Sequence, residues 1–178
     1  CLVAAFTVID HTELGASASS VTFGSISGSY DHLCIKASAR SDDVQYYDMF
    51  GIQFNGDTGS NYSNTNLLTG SATPISTRAT TTQIQHLYGI TGASNLADTF
   101  GTATMWIPHY SNTANFKQVL GAGAAENNST TDSQWILSMI AGLWSDTSAI
   151  TSIVLFPAQG LDDFVQYSTF TLYGVTGA

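Results

Sequence analysis

ITSIVLFPAQGLDDFVQYSTFTLYGV, residues Ile150 to Val175, is the stretch whose reading decides the fold. Ile150, Ile153, Val154, Leu155 and Phe156 make a short, nearly continuous apolar run that Pro157 stops. Phe170, Leu172, Tyr173 and Val175 make a second run after a polar connection. Runs of this kind mark strands covered on both faces. The β-branched and aromatic side chains, with Thr151, Thr169 and Thr171 among them, suit a pleated surface better than a helix. The two runs therefore read as antiparallel core strands against which the rest of the chain packs.

Outward from this centre the chain is a succession of short strand signals separated by turns. Val3 to Ile9 is the first, and Val21, Phe23 and Ile26 form a short second. From Leu33 to Ala39 the alternation is clean, with Leu33, Ile35, Ala37 and Ala39 on one face and Cys34, Lys36 and Ser38 on the other. Met49 to Phe54 is closed by the turn Asn55-Gly56-Asp57. Gln83 to Ile90, Thr99 to Ile107, Phe116 to Ala125 and Gln134 to Trp144 follow. Gly121-Ala122-Gly123 predicts a bulge or a close backbone approach. Ile136, Ile140, Leu143 and Trp144 also suit a helical period, but Gly142, the flanking turns and the absence of charge favour a strand. The polar segment from Gly59 to Thr82 predicts either a short strand around Tyr62 to Leu68 or an exposed functional loop. The expected architecture is all-β: an antiparallel, jelly-roll-like β-sandwich of about nine to eleven strands, one domain over residues 1–178.

Composition narrows the function classes. Hydrophobic residues make up 43% of the chain and charged residues only 10%, while Ser and Thr account for about a quarter. The surface is therefore hydroxyl and amide rich, as in many extracellular and virion β-proteins. The net charge is −9, and the cations Lys36, Arg40, Arg78 and Lys117 are scattered, so nucleic acid is not an expected partner. Neither is a membrane, since no long apolar run is present. The chain starts at Cys1 without Met, which implies processing, trimming or an incomplete sequence; a lipoprotein start also has Cys first, but Leu2 to Ile9 runs into a strand signal with no tether. With two cysteines, a Cys1–Cys34 bridge and a half-buried Cys34 thiol are both open.

The search for catalytic chemistry is negative, and a non-enzymatic protein is expected. No nucleophile elbow is present, and His11, His32, His86 and His109 lack the spacing that sets two imidazoles on one face. Asp42, Asp43, Asp48, Asp57, Asp162 and Asp163 fall in expected turns, where Asp caps backbone, although a glycosidase pair draws on the same residue type. Calcium is the alternative cofactor, because hard oxygen ligands cluster in such loops. Ser41 to Asp48, or Asn55 and Asp57 with Asn61, could supply a site, and ordinary turn chemistry is the competing account. Among aromatics, Tyr46, Tyr47, Tyr62, Tyr110 and Trp144 stand near loops or strand ends as candidate ligand or interface residues, with Tyr167 beside them. Alternatively, such rings close the ends of a core. The sequons at Asn61, Asn127 and Asn128 are expected by chance in so hydroxyl-rich a chain.

Four segments carry a resemblance: FTVIDHTELGASASSVTFGSISGSYDHLCIKASARSD (6–42), FGIQFNGDTGSNYS (50–63), ADTFGTATMWIPHYSNTANFK (97–117) and AGLWSDTSAITSIVLFPAQG with STFTLYGV (141–160 and 168–175). Together they resemble small structural proteins of tailed bacteriophages. The resemblance implies a β-sandwich module in the virion, on the outer particle surface, decorating or stabilising the capsid through protein–protein contacts. Its implied partners are the major capsid protein or other virion proteins and further copies of itself, with a trimer as one expected form. A tail-fibre receptor-binding or carbohydrate-binding module, with a cell-surface glycan as ligand, is the alternative. No active-site residues carry over from the resemblance.

Overall fold

The computed structural model describes residues 5–177. They form twelve strands: β1 (Ala5–Glu13), β2 (Val21–Phe23), β3 (His32–Arg40), β4 (Tyr47–Phe54), β5 (Tyr62–Thr69), β6 (Ile75–Thr81), β7 (Ile84–Thr91), β8 (Gly101–Pro108), β9 (Lys117–Ala125), β10 (Ile136–Trp144), β11 (Ile153–Pro157) and β12 (Thr169–Thr176). Among the described residues there is no helix, and the residues from Gln134 to Trp144 that also suited a helical period lie in or beside strand β10. Twelve strands stand in place of the expected nine to eleven. Cys1 and Val3 lie outside the described residues, so the Cys1–Cys34 pairing does too.

Hydrogen bonding divides the strands into two layers. The small layer runs β2-β11-β4-β7, and the large one runs β1-β12-β3-β8-β9-β10-β5-β6. Pairing is antiparallel except where Ala39 and Arg40 of β3 meet Ile90 and Thr91 of β7 in parallel, which carries the ladder from one layer to the other. Beyond that junction β7 lies face to face across β8, β9, β10 and β5, so the molecule is a β-sandwich. Successive strands β2, β3, β4 and β5 alternate between layers. The three-strand meander β8-β9-β10 lies between β3 and β5 in the large layer.

The two runs that decide the fold are both strands but do not pair with each other. β11 lies between β2 and β4 in the small layer, and β12 lies between β1 and β3 in the large one. Between the layers sits one apolar core, with Phe23, Phe50, Ile52, Phe54, Ile84, Leu87, Ile153 and Leu155 from the small layer meeting Leu33, Ile35, Met105, Ile107, Val119, Phe170 and Leu172 from the large one. Alternation along β3 follows the expected faces: Leu33, Ile35, Ala37 and Ala39 are buried inward. Cys34, on the outer face, is also buried, and burial raises its thiol pKa, with Lys36 acting in the opposite direction.

Where the layers join, side chains are absent. A Cβ on Gly89 of β7 would lie 2.7 Å from the Thr102 carbonyl and 3.0 Å from Ala103 Cβ in β8, and one on Gly123 of β9 would collide with the Tyr88 carbonyl. The close backbone approach predicted at Gly121-Ala122-Gly123 is therefore present, and it is β7 that approaches. The Gly59–Thr82 segment holds two strands. β5 falls where a strand was expected, whereas β6 (ISTRATT) is an exposed edge strand with no apolar alternation to reveal it.

Candidate functional site

Three of the five rings singled out from sequence belong to the core. Tyr62 and Trp144 are buried and stack with ring centroids 6.3 Å apart, and Phe54 lies 5.6 Å from Trp144. The Tyr62 hydroxyl accepts a bond from Phe54 N (3.0 Å) and donates to the Asp57 carbonyl (3.0 Å), while Trp144 Nε1 donates to Asp57 Oδ2 (2.7 Å). Tyr110 is buried, with its hydroxyl donating to the Ser27 carbonyl. These rings close the ends of the sandwich, so Tyr62, Tyr110 and Trp144 offer no exposed platform. Tyr46 and Tyr47 are half-buried: the Tyr46 hydroxyl accepts from Gln134 Nε2 (3.0 Å), and Tyr47 meets Tyr88 edge to face at 5.6 Å.

A different surface is laid out by the strand register. On the outer face of the large layer Val8, Tyr173, Cys34, Trp106, Leu120, Ala141 and Thr65 stand in one cross-strand row. The next row runs His11, Thr171, Lys36, Thr104, Ala122, Met139 and Leu67, and Leu137 stands beside Ala124 one row further. Phe6, Val8, Leu120, Met139, Leu137 and Leu67 are all exposed. Phe6 leans on both Tyr173 and Trp106, with centroids 6.0 and 6.5 Å apart. Lys36 is the one cation in the middle of this face. Sequence reasoning missed it because these residues alternate with core residues in β9 and β10, and the strands read simply as apolar. His32 and His109, distant in sequence, meet at the end of the face with centroids 4.9 Å apart, beside Trp106.

The acidic residues are sorted by the fold into two kinds. Asp57 is saturated by donors: Gly59 N (2.8 Å) on Oδ1, and Asn61 Nδ2 (2.9 Å) and Trp144 Nε1 (2.7 Å) on Oδ2. These bonds hold its pKa below the usual carboxylate value, with Asn61 the largest cause. Asn55 Oδ1 likewise accepts from Thr151 N and Ser152 N. Asn55 and Asp57 are thus turn chemistry, with their side-chain oxygens already accepting bonds, and Asn61 serves Asp57 as a donor.

Asp43, Asp48 and Asp162 differ. Asp48 lies inside β4 rather than in a turn and is fully buried, Asp43 is buried in the β3–β4 connection, and Asp162 comes from the β11–β12 connection. Asp48 Oδ1 accepts from Met49 N (2.6 Å) and Gln159 N (3.1 Å), and Asp43 Oδ1 accepts from Gln45 N (3.0 Å). The second oxygen of each, and the buried Ser41 hydroxyl, have no hydrogen-bond partner of acceptable geometry. One carboxylate oxygen from each of the three lies within 4.8 Å of one from each of the others. Burial pushes the Asp48 carboxyl up to about 6; the Met49 amide and the nearby Ser41 hydroxyl favour its charged form, and Asp43 opposes it. Asp162 is raised by burial and then by Asp43, Asp42 and Asp163. It also borders an open cleft of about 520 Å³ lined by Gln53, Gln83, Phe156, Leu161 and Asp163.

No protein-family model matches the chain, and neither does any curated protein sequence.

Proposed function

We propose that this chain is a non-enzymatic structural module that assembles with further copies of itself through the outer face of its large layer. Its proposed setting is the one the phage resemblance implies: the outer surface of a virion, as a capsid decoration or stabilising protein held beside the major capsid protein. The observation that carries the reading is the exposed apolar face built by Phe6, Val8, Leu120, Leu137, Met139 and Leu67. Six strand spacings of about 4.8 Å and a height of three to four residue pairs give it an area of roughly 600–800 Å², which approaches one partner's share of a standard protein interface. Bulky Leu120, Met139 and Leu137 stand beside the low Ala122, Ala124 and Ala141, a relief of ridges and troughs that a rotated copy of the same face can fill. With only Lys36 in its middle, such a contact depends on shape and apolar burial rather than on ion pairs.

The test is oligomeric mass. Sedimentation equilibrium of the parent chain is expected to give a dimer or trimer, and Leu120→Asp with Met139→Asp a folded monomer. A parent that remains monomeric at tens of micromolar would remove the self-assembly. Labelling of particles by electron microscopy tests the setting, with many copies over the head expected. The cleft beside Phe156, Gln53, Gln83 and Asp163 favours a second reading, a glycan-binding module, which predicts saturable binding on a glycan array that Gln53→Ala abolishes.

A further inference from the structure

Two buried carboxylates that each leave one oxygen unpartnered are costly unless something positive meets those oxygens. Around Asp43, Asp48 and Asp162 the described side chains supply no such charge: the groups acting electrostatically on Asp48 and Asp162 are Asp42, Asp43 and Asp163, all acidic. The backbone has already committed Oδ1 of Asp43 and Asp48 to amide donors. That leaves their Oδ2 atoms, shielded from solvent and without an amide donor, beside the Ser41 hydroxyl, which favours the charged form of Asp48. Carboxylate oxygens within 4.8 Å of one another match the span of a cation with oxygen ligands at about 2.4 Å on either side.

We propose that Asp43, Asp48 and Asp162, with the Ser41 hydroxyl, bind one calcium ion. The donor set is all hard oxygen, with no histidine or thiolate, which suits calcium rather than zinc or copper. Three protein carboxylates and one hydroxyl leave coordination positions open, and Asp162 places them toward the cleft, where water completes the shell. The ion joins the β3–β4 connection and the start of β4 to the β11–β12 connection, two segments far apart in sequence. This site lies away from the apolar face, so its test is independent of self-assembly.

The experiment is calorimetric titration of the EGTA-treated, dialysed full chain with calcium chloride alone, and with magnesium chloride alone in parallel, followed by thermal melting in each. One calcium per chain and a melting temperature raised by several degrees are expected, with magnesium at least tenfold weaker. Asp162→Asn, at a half-buried position, is expected to weaken calcium binding at least tenfold while melting no lower than the metal-free parent, because the charge it removes stands among like charges. Asp48→Asn keeps an acceptor for Met49 N and Gln159 N and adds a donor toward Asp43. It is expected to melt higher than the metal-free parent and to lose the calcium response. Absence of calcium heat and of any melting shift up to about 10 mM, roughly tenfold above the weak end of known calcium modules at about 1 mM, would overturn the proposal. So would an unaltered calcium response in Asp162→Asn, and an equal response to magnesium would overturn the assignment to calcium.

Discussion

Replacing Gly89 by alanine tests the junction on which the two layers depend. The added Cβ would stand 2.7 Å from the Thr102 carbonyl and 3.0 Å from Ala103 Cβ, where ordinary contact begins at 3.4 Å. To restore contact β7 must lift from β8 by about 0.7 Å, yet it is held along one edge by β4 and at its end by β3. The obstructing atom is backbone, so no rotamer change relieves it. Overpacking of this kind costs about 3 kcal/mol at the upper end of its usual range. Alanine recovers about 0.5–1 kcal/mol over glycine within a strand, leaving a net loss of about 2 kcal/mol. At about 2–4 °C per kcal/mol for a domain of this size, the melting temperature should fall by about 4–8 °C. Gly121→Ala is the control, because its nearest atoms are side-chain carbons rather than backbone, Cγ1 of Ile140 at 3.0 Å and the terminal methyls of Leu87 from 3.1 Å, and these can give by a few tenths of an ångström; its change should stay within about 1 kcal/mol. Thermal and urea denaturation of the two variants beside the parent make the comparison. If Gly89→Ala melts with the parent, or Gly121→Ala is the more damaging of the two, the layers are not held at backbone contact and the reasoning fails.

Asp57→Ala leaves the buried Trp144 indole N–H without an acceptor, and urea denaturation should show a loss of about 1–3 kcal/mol. Because hydrogen bonds hold the Asp57 pKa below its ordinary value, its contribution is fully present above the unfolded carboxylate pKa and disappears as pH falls through the folded one. Acid titration of stability should therefore be flatter at its low-pH end in Asp57→Asn than in the parent. Arg40 donates to the carbonyls of Leu96 (2.8 Å), Thr99 (3.0 Å), Ala93 (3.2 Å) and Asn95 (3.4 Å). Arg40→Met should speed amide exchange across residues 92–99 while costing about 1–2 kcal/mol overall; unchanged exchange there would show that the loop does not depend on the guanidinium.

Strand identity was legible wherever one face is buried, because a two-residue period then writes itself into the sequence, as in Leu33 to Ala39. β6 escaped because both of its faces are wet and its Ser and Thr carry no contrast. The pairing of strands was less legible still. The runs around Leu155 and Leu172 read as partners, yet each is apolar on its own account, one between β2 and β4 and the other between β1 and β3. Partner choice comes from layer crossings that no local pattern records. The same limit applies to the acidic corner. Asp43 and Asp48 look like turn residues in sequence, and only the arrival of Asp162 from the β11–β12 connection shows that their oxygens converge. The aromatic rings left two accounts open in sequence: Tyr62, Tyr110 and Trp144 sit near strand ends, where a ring can point either way, and in the sandwich they point inward and close the core.

β12 stands between β1 and β3, strands synthesised long before it. On a ribosome both must wait with an unsatisfied edge, and neither can settle into its place until residue 176 has emerged. Folding of the large layer thus waits on the last of its strands to be made. A nascent chain stalled anywhere short of that strand should be open to proteases and in need of a chaperone, however much of its core sequence has already been made.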